Sequence, residues 1–369
     1  MKTLNYNQDF ETELGSTLPG ITIAYDTWGI LNSNADNVIW ICHALTASSD
    51  VENWWPNMVG EGLLFDPGEY FIVCANILGS CYGSTGPASV NPATGKQWLL
   101  DFPALTIRDL VKAHEILRKH LGIRKIHSII GASIGGFQAL EYSIMHPGII
   151  SNLIFIASSA KQSPWAIGFS QSQRLAMEAD QSFNGDPEGG RKGLRAARSI
   201  ALLSYRNAAA YNRTQAEDTD EKTSSFKASS YQSYQGDKLV NRFNPYSYYC
   251  LVNLSDTHNT GRGRGGTVAA LSKVRANTLC IGISADILFP VEEQKYVASN
   301  IPGAEFIEID SFYGHDGFLI ESGQISAIIS DFWKRKSKRA VAFTIRNADK
   351  TATTVPVRPG ILTCKKIEK

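Results

Sequence analysis

One short segment, Ser128-Ile-Ile-Gly-Ala-Ser-Ile-Gly-Gly-Phe-Gln-Ala-Leu140, limits what this chain can fold into more than any other. An apolar run ends at Gly131, Ser133 sits among small residues, and a helix-like stretch starts at Gly135. Gly131-Ala132-Ser133-Ile134-Gly135 fits Gly-x-Ser-x-Gly, the turn that lifts a serine from the end of a strand into the start of a helix. Small residues two before and two after the serine let strand and helix approach closely. The hydroxyl then stands at the helix N-terminus, where free N–H groups and the helix dipole favour a developing negative charge. The pattern alone is common, and a tight turn without chemistry is the plain alternative. The strand before it and the helix after it make a nucleophile the stronger reading.

The neighbouring sequence supports the same architecture. Residues 21–29, 37–45, 70–78, 125–131 and 151–158 read as strands, and 106–122 and 135–147 as helices. From 278 the alternation returns with TLCIGISAD, VEEQKYVASNI and AEFIEID, followed by a closing helix near 321–335. The expected fold is α/β, with a mostly parallel central sheet flanked by helices. The core is assigned to 1–160 and 268–335, interrupted by a mainly helical lid at 161–267. The stretch 336–369 carries Val, Ile and Thr that suit added strands or a partner contact, and its role is unassigned.

Charge narrows the function classes. Lys plus Arg number 36 against 35 for Asp plus Glu, which gives no basic surplus for nucleic acid. Six scattered cysteines form no CxxC pair and suit reduced thiols in a cytoplasmic protein. Neither a signal-peptide core nor a membrane-length apolar run is visible, and the histidines and cysteines lack metal-ligand spacing. Gly261-Arg-Gly-Arg-Gly-Gly266 formally matches a dinucleotide motif but follows no strand.

A nucleophilic serine needs a base, and the base an acid, in the chain order Ser, Asp or Glu, His. His146 lies at the far end of the nucleophile helix and His258 in the polar end of the insertion, which leaves His315 in the loop Phe312–Phe318. Asp286, at the end of a strand, is the preferred acid. Asp310 is only five residues before His315, and Asp316 is adjacent to it, so both fit less well. The oxyanion donors are expected at the Ile134 N–H and at the Leu45 N–H in the loop after an early strand. The His43 side chain reads as a polar end to a core strand.

CHALTASSDVENWW (42–55), NILGSCYGSTGPASVNPATGK (76–96), DFPALTIRDLV (101–111) and GASIGGFQALEYSIMHP (131–147) together resemble the homoserine O-acetyltransferases of the α/β-hydrolase superfamily. GLRAARSIALLSYR (193–206) and the stretch from SADILFPVEEQ to YGHDGFLIE (284–321) agree, and the likeness runs from about residue 10 to about 335. Ala132-Ser133-Ile134 replaces the family's usual Gly-Ser-Met, and Ala47 replaces a glycine. The resemblance implies that Arg198, Tyr205 and Asp316 bind the amino-acid acceptor: a cation suits its carboxylate and an anion its ammonium. It also implies acetyl-CoA as acyl donor, L-homoserine as acceptor, a ping-pong acyl-serine mechanism and a place in methionine biosynthesis. No permanently bound cofactor or metal is expected, and a homodimer is. Serine or homoserine O-succinyl transfer, a plain esterase or thioesterase, and a catalytically silent binding protein are the competing expectations.

Overall fold

The computed structural model describes the backbone of residues 1–351, with side chains to residue 338. The strands are β1 (Lys2–Tyr6), β2 (Phe10–Glu11), β3 (Thr17–Leu18), β4 (Ile21–Trp28), β5 (Val38–Cys42), β6 (Phe71–Ala75), β7 (Ile126–Ala132), β8 (Ile150–Ile156), β9 (Asn277–Ile283) and β10 (Glu305–Ile309). Eight of them form one sheet in the order β1-β4-β6-β5-β7-β8-β9-β10, and β2 pairs with β3. β1–β4 and β4–β6 are antiparallel, and every later pairing is parallel. All of β5 and nearly all of β7, β8 and β9 are buried, which is why they read as continuous apolar runs rather than alternating ones. β1 escapes sequence reading because LysThrLeuAsnTyr forms a mostly exposed edge, with little apolar pattern to see.

The helices before the insertion are α1 (Val51–Trp54), α2 (Ile107–His120) and α3 (Ile134–Met145). Thr106 and Asp109 form a capping box at the start of α2. α3 is buried almost all round, against β7 and β8. Its aromatic and polar side chains therefore have to find partners inside the core.

The segment between β8 and β9 is helical, as the sequence suggests. It holds α4 (Pro164–Glu178), α5 (Arg191–Tyr205), α6 (Ala208–Thr214), α7 (Lys227–Val240), α8 (Pro245–Asp256) and α9 (Thr267–Leu271). Ser163-Pro164 and Asn244-Pro245 are legible starts: the first residue caps with its side chain, and the proline fills the first helical position. At the base of the insertion the chain entering and the chain leaving bond to each other, Thr260 N–H to Ala160 O (3.0 Å) and Gln162 N–H to His258 O (2.9 Å). The Gly-Arg repeat at 261–266 serves this return. Arg262 reaches Glu13 (2.8 Å), Arg264 pairs with Glu141, and Arg108 joins both carboxylates at 2.7 and 3.0 Å. Residues 1–327, insertion included, form one compact unit.

The remaining helices are α10 (Val291–Asn300), α11 (Gly317–Ile320) and α12 (Ser322–Thr351). The closing helix expected near 321–335 runs on to Thr351, so residues 336–351 add helix rather than strands. No glycine or proline interrupts 324–351, so nothing in the chain forces the earlier stop. The rest of the C-terminal stretch, 352–369, lies outside the described residues.

Candidate active site

Ser133 takes φ +57° and ψ −128°, a conformation that costs a non-glycine residue about 1–3 kcal/mol. Its surroundings hold it there. Its N–H donates to Ile156 O (3.1 Å), and its carbonyl accepts from Gly136 N–H (2.9 Å) and from the Ser158 hydroxyl (2.7 Å). The glycines of the motif answer to close approach. A Cβ on Gly131 would lie 2.0 Å from Gly135 O, and one on Gly135 would lie 2.2 Å from Cys42 O. One on Gly136 would meet Ser158 at 2.5 Å. The end of β5, the turn and α3 thus touch backbone to backbone.

Asp286 and His315 follow β9 and β10, at the same carboxyl edge of the sheet as Ser133 after β7. The His315 Nδ1 lies 2.6 Å from Asp286 Oδ2, and both side chains are buried. The other Asp286 oxygen accepts from the N–H groups of Leu288 (2.8 Å) and Phe289 (2.9 Å), so this carboxylate is fully engaged and fixed in orientation. Burial alone pulls the imidazole pKa down. The Asp286 charge and hydrogen bond, helped by Asp316, outweigh it and hold His315 above its usual value. Asp310 is exposed and accepts from the Ser284 hydroxyl instead (2.8 Å). His258 stacks on Phe137 with ring centroids 3.9 Å apart and bonds Ser159 O, and so belongs to the core.

Ser133, Leu45 and Ile134 line a cavity of about 50 Å³, together with Phe289 and, from the insertion, Ser204 and Tyr205. The His315 ring packs against two of those walls, 5.3 Å from Phe289 and 5.8 Å from Tyr205 between centroids. Neither the Leu45 N–H nor the Ile134 N–H donates to a protein acceptor among the described residues. Both residues belong to the cavity wall beside Ser133, each with a backbone N–H free to donate.

The three residues expected to bind an acceptor sit together. The Arg198 guanidinium lies over the Tyr205 ring, 5.4 Å from its centroid. Asp316 follows His315, and burial raises its pKa despite the opposing charges of Arg206, His315 and Arg198. Arg206, which no sequence signal singles out, lies 3.1 Å from Asp316 through Nε, an ion pair without hydrogen-bond alignment. Asn207 was also missed. Its side chain caps α6 and donates to Phe312 O (2.6 Å), so the insertion holds the loop that carries His315. The one local signal was the N-cap position itself, and the partner loop lies a hundred residues away.

Known proteins fit this picture. A family profile described as the alpha/beta hydrolase fold matches residues 37–322. A homoserine O-acetyltransferase of Cyclobacterium marinum is 48% identical over 322 residues, which cover 87% of this chain and 92% of that protein. Among solved structures, a homoserine O-acetyltransferase from Bacillus anthracis superposes with TM-score 0.84 at 24% identity, over 90% of this chain and 96% of its own. An acetylester hydrolase from Corynebacterium glutamicum gives 0.79 at 26% identity, over 90% and 95%.

Proposed function

The chain belongs to the homoserine O-acetyltransferase family of the α/β-hydrolase fold, and from that premise we propose that it moves an acetyl group from acetyl-CoA to the hydroxyl of L-homoserine. The observation that carries the reading is the cavity at Ser133, with the Asp286–His315 pair behind it and two unpaired backbone N–H groups on its wall.

In the first half-reaction His315 Nε2 takes the Ser133 proton and Oγ attacks the thioester carbon. The carbonyl oxygen becomes an anion held by the Leu45 and Ile134 N–H groups. The C–S bond then breaks, and the proton passes from His315 to the departing thiolate. In the second half, His315 takes the proton of the homoserine hydroxyl and that oxygen attacks the acetyl-serine. The C–Oγ bond breaks, and Ser133 recovers its proton. Arg198 takes the amino-acid carboxylate and Asp316 its ammonium.

Two features favour acetyl transfer over the alternatives. Among the described residues no Lys or Arg lines the cavity at Ser133, so the carboxylate of a succinyl group there would lack a counter-charge from them. Insertion residues Ser204, Tyr205, Val252 and Ser255 wall the cavity, which narrows the approach of bulk water to an acyl-serine. On this reading the insertion is a lid. A homodimer in the cytoplasm and a role in making O-acetylhomoserine for methionine biosynthesis complete the proposal. The likeness to an acetylester hydrolase keeps hydrolysis as the second reading.

The test is thiol release from acetyl-CoA with L-homoserine, with L-serine and without acceptor, repeated with succinyl-CoA and with Ser133→Ala. Release that needs acetyl-CoA and homoserine and vanishes in the variant is expected. Release that ignores every acceptor makes the protein a hydrolase, and dependence on serine or succinyl-CoA changes the substrates but keeps the chemistry.

A further inference from the structure

His43, fully buried at the end of β5, has three polar neighbours that fix more than its own position. The Ile77 N–H donates to its Nε2 (3.2 Å), so that nitrogen carries the lone pair and the proton resides on Nδ1. The Nδ1–H donates to Ala44 O (2.8 Å), and the Ala47 N–H donates to the same oxygen (3.0 Å). That carbonyl belongs to the planar Ala44–Leu45 peptide, whose N–H points the opposite way. Anchoring Ala44 O away from the cavity therefore aims the Leu45 N–H into it.

Gln138 on α3 adds the second constraint. Its Nε2 donates to His43 O (3.3 Å) and to Ile134 O (3.2 Å), and its Oε1 accepts from His114 Nε2 (3.0 Å). One amide thus ties the strand end that carries Leu45 to the helix turn that carries Ile134. His43, Gln138 and His114 are all buried. Burial lowers the pKa of His43 and of His114 to about 4, so both rings are neutral at working pH and the donor pattern persists.

We propose that His43 and Gln138 are positioning residues for the oxyanion hole, His43 orienting the Leu45 N–H and Gln138 setting its spacing from the Ile134 N–H. The inference rests on Ser133 being the nucleophile, as in the proposed function, but not on the identity of donor or acceptor.

The test compares His43→Leu, His43→Asn and Gln138→Met with the wild type. An asparagine amide restores an N–H close to the place of Nδ1–H. The first readout is the rate of Ser133 phosphorylation by diethyl p-nitrophenyl phosphate, whose phosphoryl oxygen occupies the oxyanion hole. The second is kcat and KM with acetyl-CoA. His43→Leu and Gln138→Met are expected to slow labelling and kcat by about 10–100-fold, less than or comparable to outright loss of one donor, with KM within about two-fold. His43→Asn is expected to recover most of the rate. Wild-type labelling rates in His43→Leu and Gln138→Met overturn the proposal. So does His43→Asn that is as slow as His43→Leu with the same fall in Tm, which marks a packing role only. Labelling without turnover of acetyl-CoA in the wild type condemns the assigned substrates and leaves the positioning test standing.

Discussion

Asp286→Asn replaces one oxygen with an NH2 group, and the structure dictates where that NH2 must go. Oδ1 of Asp286 accepts from two backbone N–H groups, of Leu288 and Phe289. Turning the NH2 toward them would set donor against donor and leave buried groups unpaired, at about 1–3 kcal/mol each. The amide oxygen therefore keeps that side, and the NH2 takes the position 2.6 Å from His315 Nδ1. Nδ1 must then accept, which moves the ring proton to Nε2, the nitrogen that has to receive the proton of Ser133. The base loses its lone pair at the working atom and its supporting charge together.

On the proposed mechanism the wild type needs neutral His315, which is held above its usual 6.5, so activity is expected to fall as pH drops through a midpoint above 6.5. The Asp286 charge and hydrogen bond supply the larger part of that upward pull. Without them, burial dominates and carries the midpoint below 6.5. The wrong tautomer and the unsupported imidazolium together should lower kcat by about 10³–10⁴-fold at neutral pH. The assay is thiol release from acetyl-CoA between pH 5 and 9 in roughly half-unit steps, with Tm as the folding control. A folded variant within about ten-fold of wild type, or one whose acid limb does not move, would refute this account of the pair.

Gly135→Ala places a Cβ 2.2 Å from Cys42 O, and backbone on both sides leaves little room to yield. A loss of about 1–3 kcal/mol in stability and a collapse of Ser133 labelling are expected, and an active variant with wild-type Tm would show that the elbow tolerates a wider gap. His43 and His114, lowered by burial to about 4, are neutral in the fold and take up protons more readily when unfolded. Their contribution is full above pH 6.5 and declines as pH falls toward 4, about 3 kcal/mol each at the limit, whereas raised His315 works in the opposite sense. Urea midpoints at pH 7 and 4.5 check this, and equal values would contradict it. Arg198→Leu should raise the KM for homoserine at least about ten-fold while Ser133 acetylation by acetyl-CoA alone stays near wild type. An equal loss in both half-reactions would remove Arg198 from the acceptor site.

What the chain reveals without coordinates follows from where its signals are local. β5, β7, β8 and β9 announce themselves because burial on both faces demands unbroken apolar runs. Edge strand β1 makes no such demand. The glycines around Ser133 are legible because close contacts leave no room for a Cβ at Gly131, Gly135 or Gly136, all within three residues of the serine. Asp286 is preferred over Asp310 from its place at a strand end; in the structure it lies 2.6 Å from His315, whereas Asp310 accepts from the Ser284 hydroxyl. Arg206 and Asn207 were beyond reach because their partners, Asp316 and Phe312, are about a hundred residues distant. His43 was read as a simple strand end for a similar reason: the Ile77 and Gln138 contacts that give it direction come from other elements.

Those missed residues bear on why this fold would transfer an acyl group rather than hydrolyse it. The insertion does more than cover Ser133. Through Asn207 it grips the loop of His315, and through Arg206 it pairs with the aspartate beside that histidine. Tyr205, one residue earlier, walls the cavity and packs on the His315 ring. Three consecutive residues, from the last of α5 to the cap of α6, thus touch the cavity wall, Asp316 and the loop of His315. An opening of the insertion wide enough to flood the cavity would pull at the loop that positions the base. On the acyl-transfer reading, water would gain access to the acetyl-serine only in states where His315 is poorly placed to activate it. Selection against hydrolysis would then come from coupling barrier and base in one short stretch of chain, with no need for a perfectly sealed cavity.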